Sequence, residues 1–254
     1  MIPIKSAREI EAMRRACKIT AEALALAETL VKPGVTTKEI DISIRDFIRS
    51  KGAEPAFLNY GGFSGSACIS VNDGVIHGIP GNRRLVEGDI VSIDTGARID
   101  GFNGDAARTF PVGKVSEEAA RLIAVTEQSF WEGMKYARQG CRVSDIGHAV
   151  QEYVEANGFS VVRDFVGHGV GAKLHEPPEV RNFGPAGHGP RLQPGMTLAV
   201  EPMVNAGDWQ VKVLADKWTT VSADGSLTAH YENSILITDG DPEILTVTED
   251  GAYV

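Results

Sequence analysis

Five side chains in this sequence belong to the types that bind divalent metal ions, and each stands in an apolar or glycine-rich stretch. They are Asp94, Asp105, His168, Glu201 and Glu232. An isolated carboxylate in a low-dielectric interior is so costly that buried charges are found paired or bound to a metal. The sequence offers too few nearby cations to pair four carboxylates. Four carboxylates and one imidazole form a hard, oxygen-rich set that suits two divalent ions such as Mn, Fe, Co or Zn.

Two of the carboxylates fall on one predicted β-hairpin. Residues 90–112 read as two half-buried strands joined by a two-residue Asp-Gly turn at 100–101. This pairing places Asp94 opposite Ala107 and makes Asp105 its diagonal neighbour on the same face. Diagonal positions lie about 7–8 Å apart at Cα, so both carboxylates can reach one ion or bridge two. Two buried like charges this close would raise at least one pKa unless cations lay between them.

The other three predicted ligands come from the second half of the chain. Residues 196–201 and 229–237 each read as one strand, with Glu201 at the end of the first and Glu232 within the second. His168 lies between two glycines, whose lack of a side chain lets the backbone and a metal approach closely. The second half is therefore predicted to repeat the arrangement of the first.

Four amphipathic helices are predicted to pack on these strands. The first two begin at capping boxes, Ser6 with Glu9 and Thr36 with Glu39. The helices are predicted to extend from about residue 6 to 32, from 36 to 51, within 116–140 and from 144 to 157. The predicted fold class is α+β, with helix pairs packed on antiparallel sheets rather than βαβ alternation.

The two halves of the chain resemble each other at an offset of about 106 residues, which indicates an internal duplication. Three residues before, in and after the second helix fall on equivalents around the fourth: Gly34 on Gly140, Ile40 on Ile146 and Gly52 on Gly158. Asp94 lies over Glu201 one residue further out of register. A chance match of a few glycines and isoleucines is the alternative interpretation. We expect a single catalytic domain over residues 1–254, with pseudo-twofold halves at about 1–112 and 113–254.

Composition limits the class of protein. Of the 254 residues 43% are apolar, enough for one sizeable core, and the formal charge of −9 gives no basic patch for nucleic acid or an anionic membrane surface. That negative charge would suit a cationic group such as a peptide α-ammonium. No apolar run approaches the ~20 residues that cross a bilayer, and residues 1–15 lack the apolar stretch of a signal peptide, so we expect a cytoplasmic protein. The cysteines, Cys17, Cys68 and Cys141, form no C-x-x-C pair and are expected to be reduced thiols.

The motifs around the five predicted ligands resemble those of the type I methionine aminopeptidases, dimetal enzymes of the pita-bread fold. The likeness runs nearly end to end. The motifs are Gly88-Asp-Ile-Val-Ser-Ile-Asp94, Asn103-Gly-Asp105, Gly167-His-Gly-Val-Gly171, Glu201-Pro-Met-Val-Asn-Ala-Gly207, Tyr231-Glu-Asn233, Ser70-Val-Asn-Asp-Gly-Val-Ile-His-Gly-Ile-Pro80 and His175-Glu-Pro-Pro178.

The resemblance implies how the metals are held. Asp105 and Glu232 would bridge two divalent ions, Asp94 would bind one ion, and His168 and Glu201 would bind the other. Two such ions lower the pKa of a bridging water, so that hydroxide exists near neutral pH. The expected fold is accordingly a pita-bread fold of internally duplicated helix pairs on curved antiparallel sheets around a dimetal site.

The resemblance also implies three catalytic residues and a methionine pocket. Glu201 would shuttle a proton to the leaving amine, His175 would contact the scissile carbonyl oxygen, and His77 would lie near the scissile nitrogen. Phe57 and Leu174 differ from the cysteine and phenylalanine of many bacterial members. The residues expected to line the pocket are Tyr60, Phe63, Cys68, His77, Leu174, His175 and Trp218. Three further histidines, His148, His188 and His230, are expected to be ordinary surface or core residues.

The activity implied by the resemblance is removal of the initiator methionine from nascent polypeptides whose second residue is small. A monovalent cation held by Asn72 and Thr228, action near the ribosome and a monomeric state are also expected. An Xaa-Pro aminopeptidase or prolidase is the alternative enzyme, although those usually carry an additional N-terminal domain. A non-catalytic binding protein on the same scaffold is the other alternative. Such a protein should lack at least one ligand, whereas all five are present.

Overall fold

In a computed structural model the protein is described over residues 2–249 and 251–252, with two pairs of α-helices, each followed by a group of β-strands. The helices are α1 Ala7–Leu30, α2 Thr37–Ser50, α3 Glu117–Met134 and α4 Val143–Ala156. The strands are β1 Glu54–Pro55, β2 Ala67–Val71, β3 Gly74–Ile76, β4 Ile90–Ile99, β5 Phe102–Pro111, β6 Ser160–Val161, β7 Gly167–Gly169, β8 Glu176–Val180, β9 Thr197–Val200, β10 Met203–Asn205, β11 Val211–Val213, β12 Thr220–Ser222, β13 Thr228–His230, β14 Glu232–Leu236 and β15 Glu243–Ile244. A short 3-10 helix lies at Tyr60–Gly62.

Both predicted capping boxes are confirmed. The backbone N–H of Ser6 donates to Glu9 Oε2 at 2.8 Å, and that of Thr36 donates to Glu39 Oε2 at 2.7 Å. Each carboxylate also lies near the helix N-terminus, where the backbone dipoles favour negative charge. The starts of α1 and α2 are thus fixed by local sequence.

The third helix is shorter than the interval predicted for it. It ends at Met134, and residues 135–138 then form turns whose N–H groups bond to carbonyls two or three residues back. These turns place Ala137 in the core, fully buried. Ala137 packs there in the same cluster as Phe130 and Met134 of α3.

The central sheet has nine strands and joins the two halves of the chain. Its main order is β1-β4-β5-β14-β9-β7-β8, with β2 also paired to β4 and β15 to β14. The strand pairs between named strands in the described residues are antiparallel, as predicted. The halves meet where β5 pairs with β14, with Ala107 opposite Glu232. This pairing brings a carboxylate from the second half beside the hairpin of the first.

The hairpin β4–β5 has the predicted register. Asp94 lies opposite Ala107, and Gly96 lies opposite Asp105, which makes the two aspartates diagonal neighbours. The turn residues Asp100 and Gly101 have φ values of 52° and 83°, the left-handed conformation that a two-residue hairpin turn of this type requires. The turn chemistry therefore fixes the position of both carboxylates.

The prediction of a single strand over residues 229–237 is wrong. β13 ends before Tyr231 and pairs with β10, whereas β14 begins after it and pairs with β5 and β9. The Tyr231 N–H donates to the carbonyl of Pro202 at 3.2 Å. Pro202 has no N–H to offer a ladder, and it separates β9 from β10 in the same way. The segments β9–β10 and β13–β14 therefore pass from one sheet to the other side by side. Both changes of sheet lie directly next to Glu201 and Glu232.

Each half buries one helix pair against strands. In the first half the fully buried side chains of α2, Ile40, Ile44 and Ile48, belong to a core cluster with residues of α1, β2, β4 and β5. In the second half Phe130 of α3 and Ile146 of α4 pack with residues of β9 and β14. The division into two duplicated halves within one domain stays a prediction. Over the residues that the structure describes, we find no helix long and apolar enough to cross a membrane.

Candidate metal centre

All five predicted metal ligands line one cavity of about 360 Å³. The hairpin β4–β5 supplies Asp94 and Asp105, β7 supplies His168, and β14 supplies Glu232. Glu201 directly follows β9, whose pairing with both β7 and β14 places it between them. Residues more than 130 positions apart along the chain thus converge because five strands of one sheet, β4-β5-β14-β9-β7, lie side by side.

Three of the five side chains are close enough for a common ion. Asp105, His168 and Glu232 each offer one ligand atom, and these atoms all lie within 4.8 Å of one another. His168 Nε2 is also 3.5 Å from Glu201 Oε1 and 3.7 Å from Asp105 Oδ2. These separations are too long for direct hydrogen bonds. Separations of this size are expected between ligand atoms that each lie about 2.0–2.2 Å from a shared ion.

The carboxylates lack the partners that buried anions need. One oxygen each of Asp94, Asp105 and Glu232 is buried without a hydrogen-bond partner in the described structure. Burial raises the pKa of Asp94 to about 8 and those of Asp105, Glu201 and Glu232 well above the usual range. Repulsion between the carboxylates adds to the increase for the last three. The site therefore fits bound divalent metal, which would supply the missing positive charge.

His168 is arranged as a neutral ligand. Burial, together with the nearby His175, lowers the pKa of His168 to about 4. Its Nδ1 lies 2.9 Å from the carbonyl oxygen of Gly169, which can only accept, so we assign the proton to Nδ1. The lone pair of Nε2 then faces the carboxylates. A second hydrogen bond of this kind is what fixes the tautomer of metal-binding histidines.

A buried cation that was not among the predicted site residues lies near this centre. Arg108 is 4% exposed and donates to the carbonyl oxygens of Ala107 and Glu232 and to Oδ1 of Asn233. Its guanidinium also lies 4.0 Å from the centre of the Tyr231 ring. Burial and repulsion from the other three carboxylates keep the pKa of Glu232 well above the usual range, although the charge of Arg108 acts in the opposite direction and lowers it.

Both predicted non-ligand histidines line the same cavity. The ring of His175 lies 4.2 Å from that of His168, and its Nδ1 is 2.7 Å from the hydroxyl oxygen of Tyr60. His77 packs edge-on against Phe165 and against Trp218. Burial lowers the pKa of both histidines, to about 4 for His77, where His175 contributes further. Both are therefore neutral at physiological pH.

The predicted methionine pocket is an apolar part of this cavity. Phe63, Cys68 and Leu174 form one buried cluster with Phe57, against which Trp218 packs. The rings of Phe63 and Trp218 meet edge to face at 5.2 Å. Further lining residues that were not predicted include Ile76, which lies within a motif, Phe165, which lies two residues before Gly167, and Glu179, which directly follows Pro178.

Of the three histidines expected to be ordinary, His230 differs. It is 2% exposed, its Nε2 lies 3.8 Å from Glu201 Oε2, and neither ring nitrogen has a hydrogen-bond partner in the described structure. His148 contacts the Gly184 carbonyl through Nδ1 at 3.1 Å. The expectation that His230 is a satisfied core residue is therefore wrong. Its nearness to Glu201 depends on the change of sheets at Tyr231, which sequence did not reveal.

The two residues expected to hold a monovalent cation lie next to each other. The N–H of Thr228 donates to the backbone carbonyl of Asn72 at 2.9 Å. The Asn72 side chain bonds to Asp89 and to the Ile90 N–H, and the Thr228 hydroxyl donates to the Gly74 carbonyl. Neither side chain has an oxygen left without a hydrogen bond, which distinguishes this place from the cluster of carboxylates.

Protons and metal ions compete for the same buried carboxylates, so stabilisation by metal is expected to depend on pH. Folding raises these pKa values above their unfolded values of about 4. The metal-free protein therefore loses stability as pH rises towards the folded-state pKa, about 8 for Asp94. Metal binds the deprotonated groups. The difference in Tm between Mn²⁺-loaded and EDTA-treated protein should widen from about pH 6 to about pH 8 in calorimetry. A constant or narrowing difference would contradict this assignment.

Comparison with known proteins agrees with this geometry. The model of metallopeptidase family M24 matches residues 11–239, and the chain belongs to that family. Within the family the similarity is to methionine aminopeptidases. The methionine aminopeptidase of Clostridium perfringens is 56% identical over 97% of this chain and 99% of its own. The crystal structure of methionine aminopeptidase from Thermotoga maritima superposes with a TM-score of 0.95 at 45% identity, over 97% of this chain and 99% of that chain.

A prolidase from Pyrococcus furiosus shares the fold. It superposes with a TM-score of 0.80 at 24% identity and covers 97% of this chain but 66% of that chain. The predicted pita-bread fold is confirmed by both likenesses. The prediction of a metallo-aminopeptidase is also confirmed, and the prolidase alternative is the weaker one because its likeness is confined to the fold.

Proposed function

We propose that this protein removes the initiator methionine from nascent polypeptides whose second residue is small. The observation that carries the proposal is the convergence of Asp94, Asp105, His168, Glu201 and Glu232 on one cavity whose other wall is apolar. A metal centre beside an apolar pocket can bind a thioether side chain and hydrolyse the bond next to it. The similarity to methionine aminopeptidases supports the same conclusion.

The five ligands would hold two divalent ions, of Co, Mn, Fe or Zn. We assign Asp105 and Glu232 to both ions, Asp94 to one, and His168 and Glu201 to the other. The orphaned oxygens of Asp94, Asp105 and Glu232 support this assignment. When bound, such ions polarise the scissile carbonyl and lower the pKa of a water molecule. For a monovalent cation at Asn72 and Thr228 the support is the resemblance alone.

Glu201 would move the proton of the reaction. Its side chain is 12% exposed, and in the metal-free site burial and the charge of Asp94 raise its pKa well above the usual range. A carboxylate beside the scissile bond can take up a proton and return it to the leaving amine nitrogen. His168 lies 3.5 Å from Glu201 Oε1 and restricts where that carboxylate can lie.

The two neutral histidines would bind the peptide bond. Nδ1 of His175 faces the Tyr60 hydroxyl at 2.7 Å, which leaves Nε2 to face the substrate. A hydrogen bond from this nitrogen to the scissile carbonyl oxygen would stabilise the charge that develops there. His77 would contact the scissile nitrogen from the opposite wall, where Trp218 and Phe165 fix its ring.

The apolar wall would select methionine. A slot formed by Phe63, Cys68, Leu174 and Trp218 offers aromatic and sulfur contacts to a thioether. Phe57 also lines the cavity and packs in the same buried cluster. We place the protein in the cytoplasm as a monomer that acts on nascent chains near the ribosome, with no specific affinity for nucleic acid or membranes, in agreement with its charge of −9.

Three tripeptides test this function directly. With Mn²⁺ or Co²⁺ added, Met-Ala-Ser should be cleaved with a kcat/KM roughly 10-fold or more above that of Leu-Ala-Ser, because the pocket fits an unbranched side chain. Ala-Pro-Ser should be the poorest substrate, and EDTA should stop turnover of all three. Fastest cleavage of Ala-Pro-Ser would favour the prolidase alternative instead.

A further inference from the structure

A buried ion pair lies outside the cavity but directly behind one of its histidines. Lys5 Nζ is 2.6 Å from Glu176 Oε2, and the two side chains are only 5% and 8% exposed. Neither residue lines the cavity. Burying two charges is costly even when they are paired, so such a pair is weak evidence for stability alone. It can instead fix one arrangement of the elements that it joins.

The pair joins the chain ahead of α1 to the loop that carries His175. The Lys5 N–H donates to the Gly195 carbonyl at 2.8 Å, which fixes the backbone of that end. Glu176 directly follows His175, and its second carboxylate oxygen accepts the Lys173 N–H at 3.0 Å. One carboxylate therefore closes the loop on itself and attaches it to a distant segment.

The loop is also held from the metal side. The backbone N–H and the Nδ2 of Asn103 both donate to the Gly171 carbonyl, at 2.9 and 2.8 Å. A Cβ atom placed on Gly171 would lie 2.7 Å from Lys5 Nζ and 2.8 Å from Glu176 Oε1. Only a glycine lets the ion pair pack this closely against the loop. Asn103 stands two residues before Asp105, so the loop is tied to the strand of a predicted metal ligand.

We infer that the Lys5–Glu176 ion pair is a positioning device for the imidazole of His175. This inference rests on the proposed contact between His175 and the scissile carbonyl. Within the site the His175 ring touches His168 and the Tyr60 hydroxyl, but its backbone is set by the loop behind it. Loss of the pair would free the loop end and move the ring relative to the metal ligands.

The test introduces Lys5→Met into three backgrounds: the wild type, His175→Ala and, for comparison, His77→Ala. In the wild-type background Lys5→Met should lower kcat for Met-Ala-Ser roughly 10- to 100-fold with little change in KM, since a misplacement of about 1 Å has effects of that size. It should cause no further loss in His175→Ala but the full loss in His77→Ala. Equal losses in both backgrounds, or an unchanged kcat, would overturn the inference.

A second readout requires no turnover. In metal-free protein the Cε1–H NMR resonance of His175 should shift in Lys5→Met, whereas that of His148 stays in place. Arg15→Met is the matched control, because it breaks an ion pair with Asp100 between side chains that are 55% and 52% exposed. An unchanged His175 resonance would overturn the inference, whether or not the wild-type protein cleaves Met-Ala-Ser. Failure of the wild-type protein to cleave Met-Ala-Ser would instead refute the proposed function.

The single change leaves Glu176 buried without its partner, which can prevent folding. The double variant Lys5→Met/Glu176→Gln removes both charges and keeps similar volumes, so it carries the same two measurements. Its kcat and its His175 resonance should change as in the single variant. Wild-type values for both in a folded double variant would contradict a positioning role.

Discussion

Glu201→Gln is expected to lower kcat for Met-Ala-Ser by about 10²- to 10⁴-fold while the protein keeps its fold. Glutamine has nearly the same volume but cannot take up a proton and return it to the leaving amine. The change also removes one of four carboxylates that repel one another in a buried site. The Tm of the metal-free variant should therefore equal or exceed that of the metal-free wild type. Steady-state kinetics and calorimetry on the same preparation measure both effects.

Glu179→Gln is the matched control for this prediction. Glu179 also lines the cavity, but its side chain is 73% exposed at the rim. Removing its charge should leave kcat within about twofold, because solvent already screens an exposed carboxylate. Wild-type turnover by Glu201→Gln would rule out the proton-shuttle role. An equal loss of kcat in Glu179→Gln would show that any loss of negative charge from the cavity lowers kcat, without a specific role for Glu201.

Asp105→Ala is expected to abolish metal binding at one or both positions. The Asp105 carboxylate is 3% exposed, belongs to the group of three ligands within 4.8 Å, and lies diagonally across the hairpin from Asp94. A bridging ligand serves two ions, so its loss should cost more than the loss of a ligand to one ion. Mass spectrometry of the metal content should show at most one ion per chain, and turnover should fall with it.

Asp100→Asn provides the comparison on the same hairpin, because asparagine tolerates the left-handed conformation of this turn residue. Asp100 lies at the turn, with its side chain 52% exposed, and contacts Arg15 rather than the cavity. This variant should keep the metal content of the wild type. If Asp105→Ala still bound two ions per chain, Asp105 could not be a bridging ligand.

The parts of the fold that sequence predicted correctly depend on local rules. A capping box involves residues three positions apart, and a two-residue turn fixes the register of both strands that it joins. For this reason the helix starts at Ser6 and Thr36 and the pairing of Asp94 with Ala107 follow from the sequence. The resemblance to a known family extended this prediction to the second half, where the local signals are weaker.

The predictions that failed all involve partners distant in the chain. The strand over residues 229–237 breaks at Tyr231 because a second chain segment breaks beside it at Pro202. The same break brings His230 close to Glu201. Arg108 reaches the carbonyl of Glu232 from another strand. Neither periodicity nor composition reports such pairings, since each is decided by the order of strands in the sheet.

The sequence by itself determined which side chains could hold metal, because four carboxylates in apolar or glycine-rich segments admit few other roles. It also determined the hairpin that sets Asp94 and Asp105 on one face. The tertiary structure decided that His168, Glu201 and Glu232 join them, through the order β4-β5-β14-β9-β7 of the central sheet. It also decided that Lys5 reaches Glu176. Local backbone geometry fixes contacts between near neighbours, whereas contacts between distant segments depend on how the whole core packs.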